Sequence, residues 1–130
     1  MPDHHNRYQQ KSRTCMAGAE VEFAAGRYAN SVNRAYYSAF QMAVAARIAD
    51  GDIPDNRQGQ WRHGQTFVSL DEKFRRWGLA ELAGILSILY DLRVKADYTI
   101  DAVSRLEAEQ SVAYAKRIVD AIAMKVSFRR

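Results

Sequence analysis

Arg93 has the side chain in this sequence whose setting most invites chemistry. Leu86 and Leu89 stand seven and four positions before it, which places it beside an apolar helical stripe, and Asp97 follows at i+4. An arginine and a carboxylate at that spacing can meet on one helix face, and a cation near a core normally has such a partner. Two readings stay open: a structural ion pair that fixes helix register, or a guanidinium at a cleft aimed at phosphate, with Asp97 and Tyr98 as neighbouring polar groups. A phenol titrates near pKa ~10, so Tyr98 is a poor general base at neutral pH. Asp97 can accept a proton, but pairing with Arg93 is its better-supported task. His63, the one histidine outside the N-terminal segment, either approaches this region from a loop or simply caps the following helix in solvent. Tyr36 falls on an apolar stripe and reads as core. Tyr37 is offset by about 100° and is free to line a groove or a dimer face.

Other chemistries lack their parts. No E-x-x-H pair lies within the long helical segments, and neither a phosphate-cradling glycine loop nor G-x-S-x-G occurs. Glu20 with Glu22 and Glu107 with Glu109 are two apart, so on helices they point in different directions and read as solvated faces. The lone cysteine, Cys15, excludes an internal disulfide and a cysteine-based zinc site. His4 and His5 read as tail residues, and no metal site or cofactor is expected.

The elements that must position Arg93 are helical. Twenty alanines against two prolines favour helix throughout. Val32, Tyr36, Phe40, Ala43, Val44 and Ile48 recur at three- and four-residue steps and predict a helix over 27–50. Met16, Ala19 and Phe23 predict another over 10–25, stopped by Gly26. The run GDIPDNRQGQWRHG, from Gly51 to Gly64, reads as a long loop, of the kind that is functional or mobile. Phe67, Leu70, Phe74 and Trp77 predict a short helix over 65–77. Leu82, Ile85, Leu86, Leu89, Leu92 and Ala96 predict one over 79–98. Ser104 to Glu107 spells the S-x-x-E capping box and opens a last helix over 104–127. The expectation is an all-α, antiparallel bundle of four to five helices, one domain spanning 10–127, with flexible tails at 1–9 and 128–130.

Charge and composition limit the partners. Nineteen basic residues against 15 acidic give +4, and 14 of the 19 are Arg, which favours forked contacts to phosphate or carboxylate. The longest uncharged run, Ala35 to Ala46, is 12 residues, short of the ~18 a spanning helix needs. Glu20 and Glu22 interrupt the apolar residues that come after Arg7, Lys11 and Arg13, so no signal peptide is expected. A cytoplasmic protein that spans no membrane is the expectation.

GRYANSVNRAYYSAF from Gly26 to Phe40, His63, the F-x-x-L-x-x-x-F run from Phe67 to Phe74 and LYDLRVKADY from Leu89 to Tyr98, in that order, resemble the HEPN domain superfamily. The resemblance is to its short stand-alone members with R-A-Y-Y-x-x-F, here beginning at Arg34, and R-x-x-A-D-Y, here beginning at Arg93. It covers nearly the whole chain. It implies a compact helical bundle, a homodimer, and a place among proteins linked to RNA cleavage, defence and toxin–antitoxin pairs, often beside a minimal nucleotidyltransferase. Ribonuclease members use R-x4-6-H, whose Arg and His meet in a cleft between protomers. Arg93 matches the arginine, but the permitted histidine positions hold Tyr98, Thr99 and Ile100. The expectation is therefore a module that binds RNA, a nucleotide or a protein partner such as an antitoxin, through Arg93, Asp97, Tyr98, Arg34 and Tyr37. The alternative is a metal-independent ribonuclease toxin with a variant site drawn from Arg93, Tyr98 and His63.

Overall fold

The computed structural model describes residues 4–99 and 102–128; positions 1–3, the end of the expected C-terminal tail at 129–130, and Ile100 and Asp101 lie outside them. Five helices run in order: α1 (His4–Ala24), α2 (Tyr28–Ala49), α3 (His63–Arg76), α4 (Ile85–Tyr98) and α5 (Arg105–Lys125). A 3-10 turn at Ala80–Leu82 precedes α4. Among the described residues there is no strand, and the bundle is all-α as expected.

The central element is α2, which packs against each of the other four helices. Its buried surface is dominated by alanine, including Ala35, Ala39, Ala43 and Ala46, and small side chains let neighbouring backbones come close. On the α1 side that approach permits hydroxyl-to-carbonyl bonds between helices. Ser12 Oγ donates to the Ser38 carbonyl at 2.7 Å, and Ser38 Oγ donates to the Ser12 carbonyl at 2.9 Å. Ser31 Oγ donates to the Ala19 carbonyl at 2.8 Å. Such bonds contribute on the order of 1 kcal/mol each and fix the helix register. The opposite face of α2 carries the aromatic side chains Tyr36 and Phe40 into a core shared with Phe74, Leu86 and Leu89.

Two boundaries differ from the expectation. Helix α1 starts at His4, so residues 4–9 are helical where a tail was expected. His5 explains the difference: it is buried, accepts a hydrogen bond at Nδ1 from Gln9 Nε2 one turn on, and lies against Phe128 at 5.2 Å between ring centroids. Helix α4 starts at Ile85 rather than 79, because Gly84 adopts φ +85° in the left-handed region, where glycine meets no Cβ penalty. Asp71 Oδ1 accepts the Gly84 N–H at 2.9 Å and pins that break to α3.

At the start of α5 the capping box forms as expected. Ser104 Oγ accepts the Glu107 N–H at 3.0 Å, and Glu107 accepts the Ser104 N–H at 3.0 Å. The second Glu107 oxygen takes Lys95 Nζ from the last turn of α4 at 2.8 Å.

The loop between α2 and α3 is tied down, contrary to its mobile appearance in sequence. Arg47 holds Asp55 through both terminal nitrogens at 2.8 Å and Asp52 through Nε at 2.9 Å, with Thr66 Oγ1 at 3.1 Å. Asn56 Oδ1 accepts the backbone N–H groups of Gln58 and Gln60 at 3.0 and 3.1 Å.

Candidate functional site

Arg93 lies on α4 against the first half of α2. Its guanidinium is stacked among tyrosines, 5.3 Å from the Tyr37 ring centre, 5.3 Å from Tyr98 and 6.0 Å from Tyr90. The side chain is 14 % exposed, so a cation here needs support. That support is loose. Asp97 Oδ2 comes within 3.0 Å of Arg93 Nε, yet the N–H is not aimed at it and Nε has no hydrogen-bond partner. The contact is therefore Coulombic. The same carboxylate oxygen accepts Asn33 Nδ2 at 2.8 Å, and Arg93 Nη2 reaches the Tyr98 hydroxyl only at 3.4 Å. Burial acts against the charge, but the Tyr37 and Tyr98 oxygens and Asp97 outweigh it and hold the Arg93 pKa above its ordinary value.

His63 enters the same aromatic cluster from α3. Its ring stacks on Phe40 at 4.6 Å and stands 5.3 Å from Tyr90 and 6.4 Å from Tyr37. Nδ1 is hydrogen-bonded to the Tyr36 hydroxyl. Burial, with a smaller contribution from the Arg93 charge, lowers the His63 pKa below its ordinary value, so the imidazole is neutral at pH 7. Tyr36 is fully buried, and that burial together with Tyr37 and Tyr90 pushes its phenol far above the usual range. The uncharged Tyr36 hydroxyl thus anchors the His63 ring through Nδ1. The rings of Tyr37 and Tyr90 each contact both His63 and Arg93, and no direct bond joins the two.

Of the residues singled out in sequence, Arg93, Asp97, Tyr98 and Tyr37 come together, with His63 behind the tyrosines. Arg34 does not join them. It lies across Gly18 of α1, where an added Cβ would come within 2.9 Å of its Cδ and Nη1. Asn33, one position earlier, faces α4 and takes that place. Tyr90 completes the wall; its signal was available as the i−3 neighbour of Arg93. Among the described residues, no cluster of three His, Cys, Asp or Glu side chains is placed to hold a metal. None of the described helices is long and apolar enough to cross a membrane.

The match to the HEPN domain family extends over residues 6–125. This chain belongs to the HEPN domain family. A Methanocaldococcus jannaschii protein named "Putative toxin MJ0605" is similar to it, 32% identical over 111 residues that span 82% of this chain and 77% of the relative. Beside Arg93, Tyr98 is 70% exposed.

Proposed function

We propose that this HEPN chain is an RNA-binding component of a toxin–antitoxin or defence system, acting in the cytoplasm as a homodimer beside a minimal nucleotidyltransferase partner, without the standard ribonuclease chemistry of R-x4-6-H. The observation that carries this reading is the Arg93 guanidinium, caged by tyrosines and held by a single misaligned carboxylate, with its Nε shielded and its terminal nitrogens engaged only by a 3.4 Å contact to Tyr98, so that the terminal nitrogens are what it offers a phosphate. Ile88 and Tyr98, exposed on the same helix, support a face turned toward a second protomer or partner.

Metal-independent RNA cleavage needs one group to take the 2′-hydroxyl proton and another to protonate the leaving oxygen, and imidazole suits both near neutral pH. Arg93 stabilises negative charge but stays protonated. His63 is neutral and close, which favours a variant ribonuclease as the second reading, but Tyr36 occupies its Nδ1 and two rings lie between it and Arg93.

The test incubates purified protein with single-stranded and structured RNA in EDTA, beside Arg93→Ala and His63→Ala. The expected result is RNA binding weakened about tenfold or more by Arg93→Ala, with no cleavage. Robust cleavage abolished by Arg93→Ala overturns the binding reading, and further loss with His63→Ala identifies the base.

A further inference from the structure

On the far side of His63 a groove runs between α1, α2 and the 51–62 loop. Its volume is about 480 Å³, and Tyr8, Lys11, Gln41, Trp61, Arg62 and His63 line it. It continues at both ends. Tyr8 and Trp61 also wall a hollow of about 330 Å³ toward Ile53 and Pro54, and Lys11 and Gln41 one of about 310 Å³ toward Thr14 and Cys15.

The charge in this groove is uncommitted. Among the described residues neither the Lys11 ammonium nor the Arg62 guanidinium forms a salt bridge; Asp55 takes the Arg62 backbone N–H and the fork of Arg47, and the acid at the groove's edge, Asp52, is paired with Arg47 at 2.9 Å. A larger cavity of about 810 Å³ on the other side of Arg47 differs in this respect. Its cations Lys73 and Arg76 share Asp50 at 2.7 and 3.2 Å, and Glu72 adds a further negative charge. An anion therefore finds free positive charge in the smaller groove and not in the larger.

The groove also offers flat aromatic surface that is held in advance. The Arg47 guanidinium sits 4.8 Å from the centre of the half-buried Trp61 ring, and Asp52, Asp55 and Thr66 fix that guanidinium. Trp61 is thus positioned before any ligand arrives, which lowers the ordering cost of binding. Tyr8 lies next to it, with Lys11 Nζ 5.0 Å from its ring centre. Aromatic faces interleaved with cations match bases joined by phosphates, and only an unpaired strand can turn its bases outward to stack.

We propose that this groove holds a short stretch of single-stranded RNA, with a base stacked on Trp61 and phosphates on Lys11 and Arg62. The proposal rests on the RNA-binding reading and gives it a path, since a strand laid here reaches His63 and, through it, the cluster around Arg93.

The experiment uses Trp77→Phe, which leaves Trp61 as the sole tryptophan, titrated with a short oligoadenylate RNA. Saturable quenching of Trp61 emission is expected. In parallel, anisotropy of labelled RNA should show Tyr8→Ala weakening binding about fivefold. Lys11→Ala and Arg62→Ala should each flatten the slope of log affinity against log salt by about 0.7. These variants leave the Arg47 cluster intact, because Arg62 serves Asp55 through its backbone N–H. RNA binding that depends on Arg93 but leaves Trp61 emission and the salt slopes unchanged overturns the groove while the RNA-binding reading stands. Binding of AMP alone with the affinity of the oligonucleotide overturns the strand in favour of a mononucleotide site. Absence of any RNA binding by the parent protein overturns the RNA-binding reading, and the groove with it.

Discussion

Two arginines lie below the surface of this bundle, and their partners differ in kind. Arg47 has two carboxylates and a hydroxyl, with a bidentate fork to Asp55 and side-chain exposure of 9% on both members of that pair. Arg93 has three aromatic faces, one carboxylate at a poor angle and a long contact to Tyr98. The first arrangement satisfies the guanidinium and fixes a loop. The second tolerates the charge without saturating it. A buried cation whose hydrogen bonds are complete is part of the framework, whereas one stabilised by rings and an off-axis carboxylate keeps the capacity to bind something else.

The largest expected difference is in stability. Asp55→Ala removes the fork and leaves Arg47 undercompensated, so unfolding free energy should fall by about 3–5 kcal/mol. Arg93→Ala should cost about 1 kcal/mol, since its charge contacts are aromatic and off-axis. Urea denaturation of both variants measures this, and equal losses would erase the distinction between the two sites. The same contrast has a pH signature. Hydrogen bonds from Arg47, together with the Arg62 N–H, hold the Asp55 carboxyl below its ordinary value. A depressed carboxyl stabilises the fold above its unfolded pKa of about 3.9, and that stability is lost as pH falls through the lower folded pKa.

A second, smaller effect reports on charge that partners have not neutralised. His63 has a lowered pKa from burial first and Arg93 second. Its contribution to stability is complete above the unfolded value of about 6.5 and is lost as pH falls through the folded pKa. Arg93→Ala should move the His63 titration upward, toward that value, while Arg47→Lys leaves it in place. Imidazole NMR shifts measured against pH decide this. An unmoved titration in Arg93→Ala would mean that Asp97 already cancels the arginine's charge.

The smallest effect is the coupling between Arg93 and Asp97. The i,i+4 spacing invites a strong pair, but the misaligned N–H and the competing Asn33 contact place the expected coupling energy below about 1 kcal/mol in a double-mutant cycle. A value near 3 kcal/mol would restore the structural ion pair as the main role of Arg93.

Much of this architecture is legible in the residues. The stripe Val32, Tyr36 and Phe40 marks the buried face of α2, and S-x-x-E marks the start of α5, because both signals are local and periodic. The early start of α1 is hidden, since residues 4–9 are polar and the burial of His5 depends on Phe128 at the far end of the chain. The break before α4 turns on the single left-handed Gly84, in a run whose apolar spacing continues across it. At the site, Arg93, Asp97 and Tyr98 share one helix and group together from spacing alone. Asn33 joins them from 64 positions away, and helical spacing carries no information about which face of α2 meets α4. For the same reason Arg34 belongs to the site by motif, while its side chain belongs to the α1 face. The Arg47 cluster leaves no signal in the sequence, because its partners lie in a loop whose composition resembles that of mobile segments.

Glu107 connects two helix ends that sequence treats separately. One of its oxygens closes the first turn of α5 and the other holds Lys95 in the last turn of α4, two residues past Arg93. Helix ends ordinarily fray independently, each at the low end of the range of local opening energies. Here, opening α5 at its start releases the α4 terminus, and loss of the α4 terminus removes a counter-charge from the carboxylate at the start of α5. The two ends are therefore coupled through one carboxylate, by up to about 1 kcal/mol, and the order of the turn that presents Asp97 and Tyr98 draws in part on a side chain outside that turn.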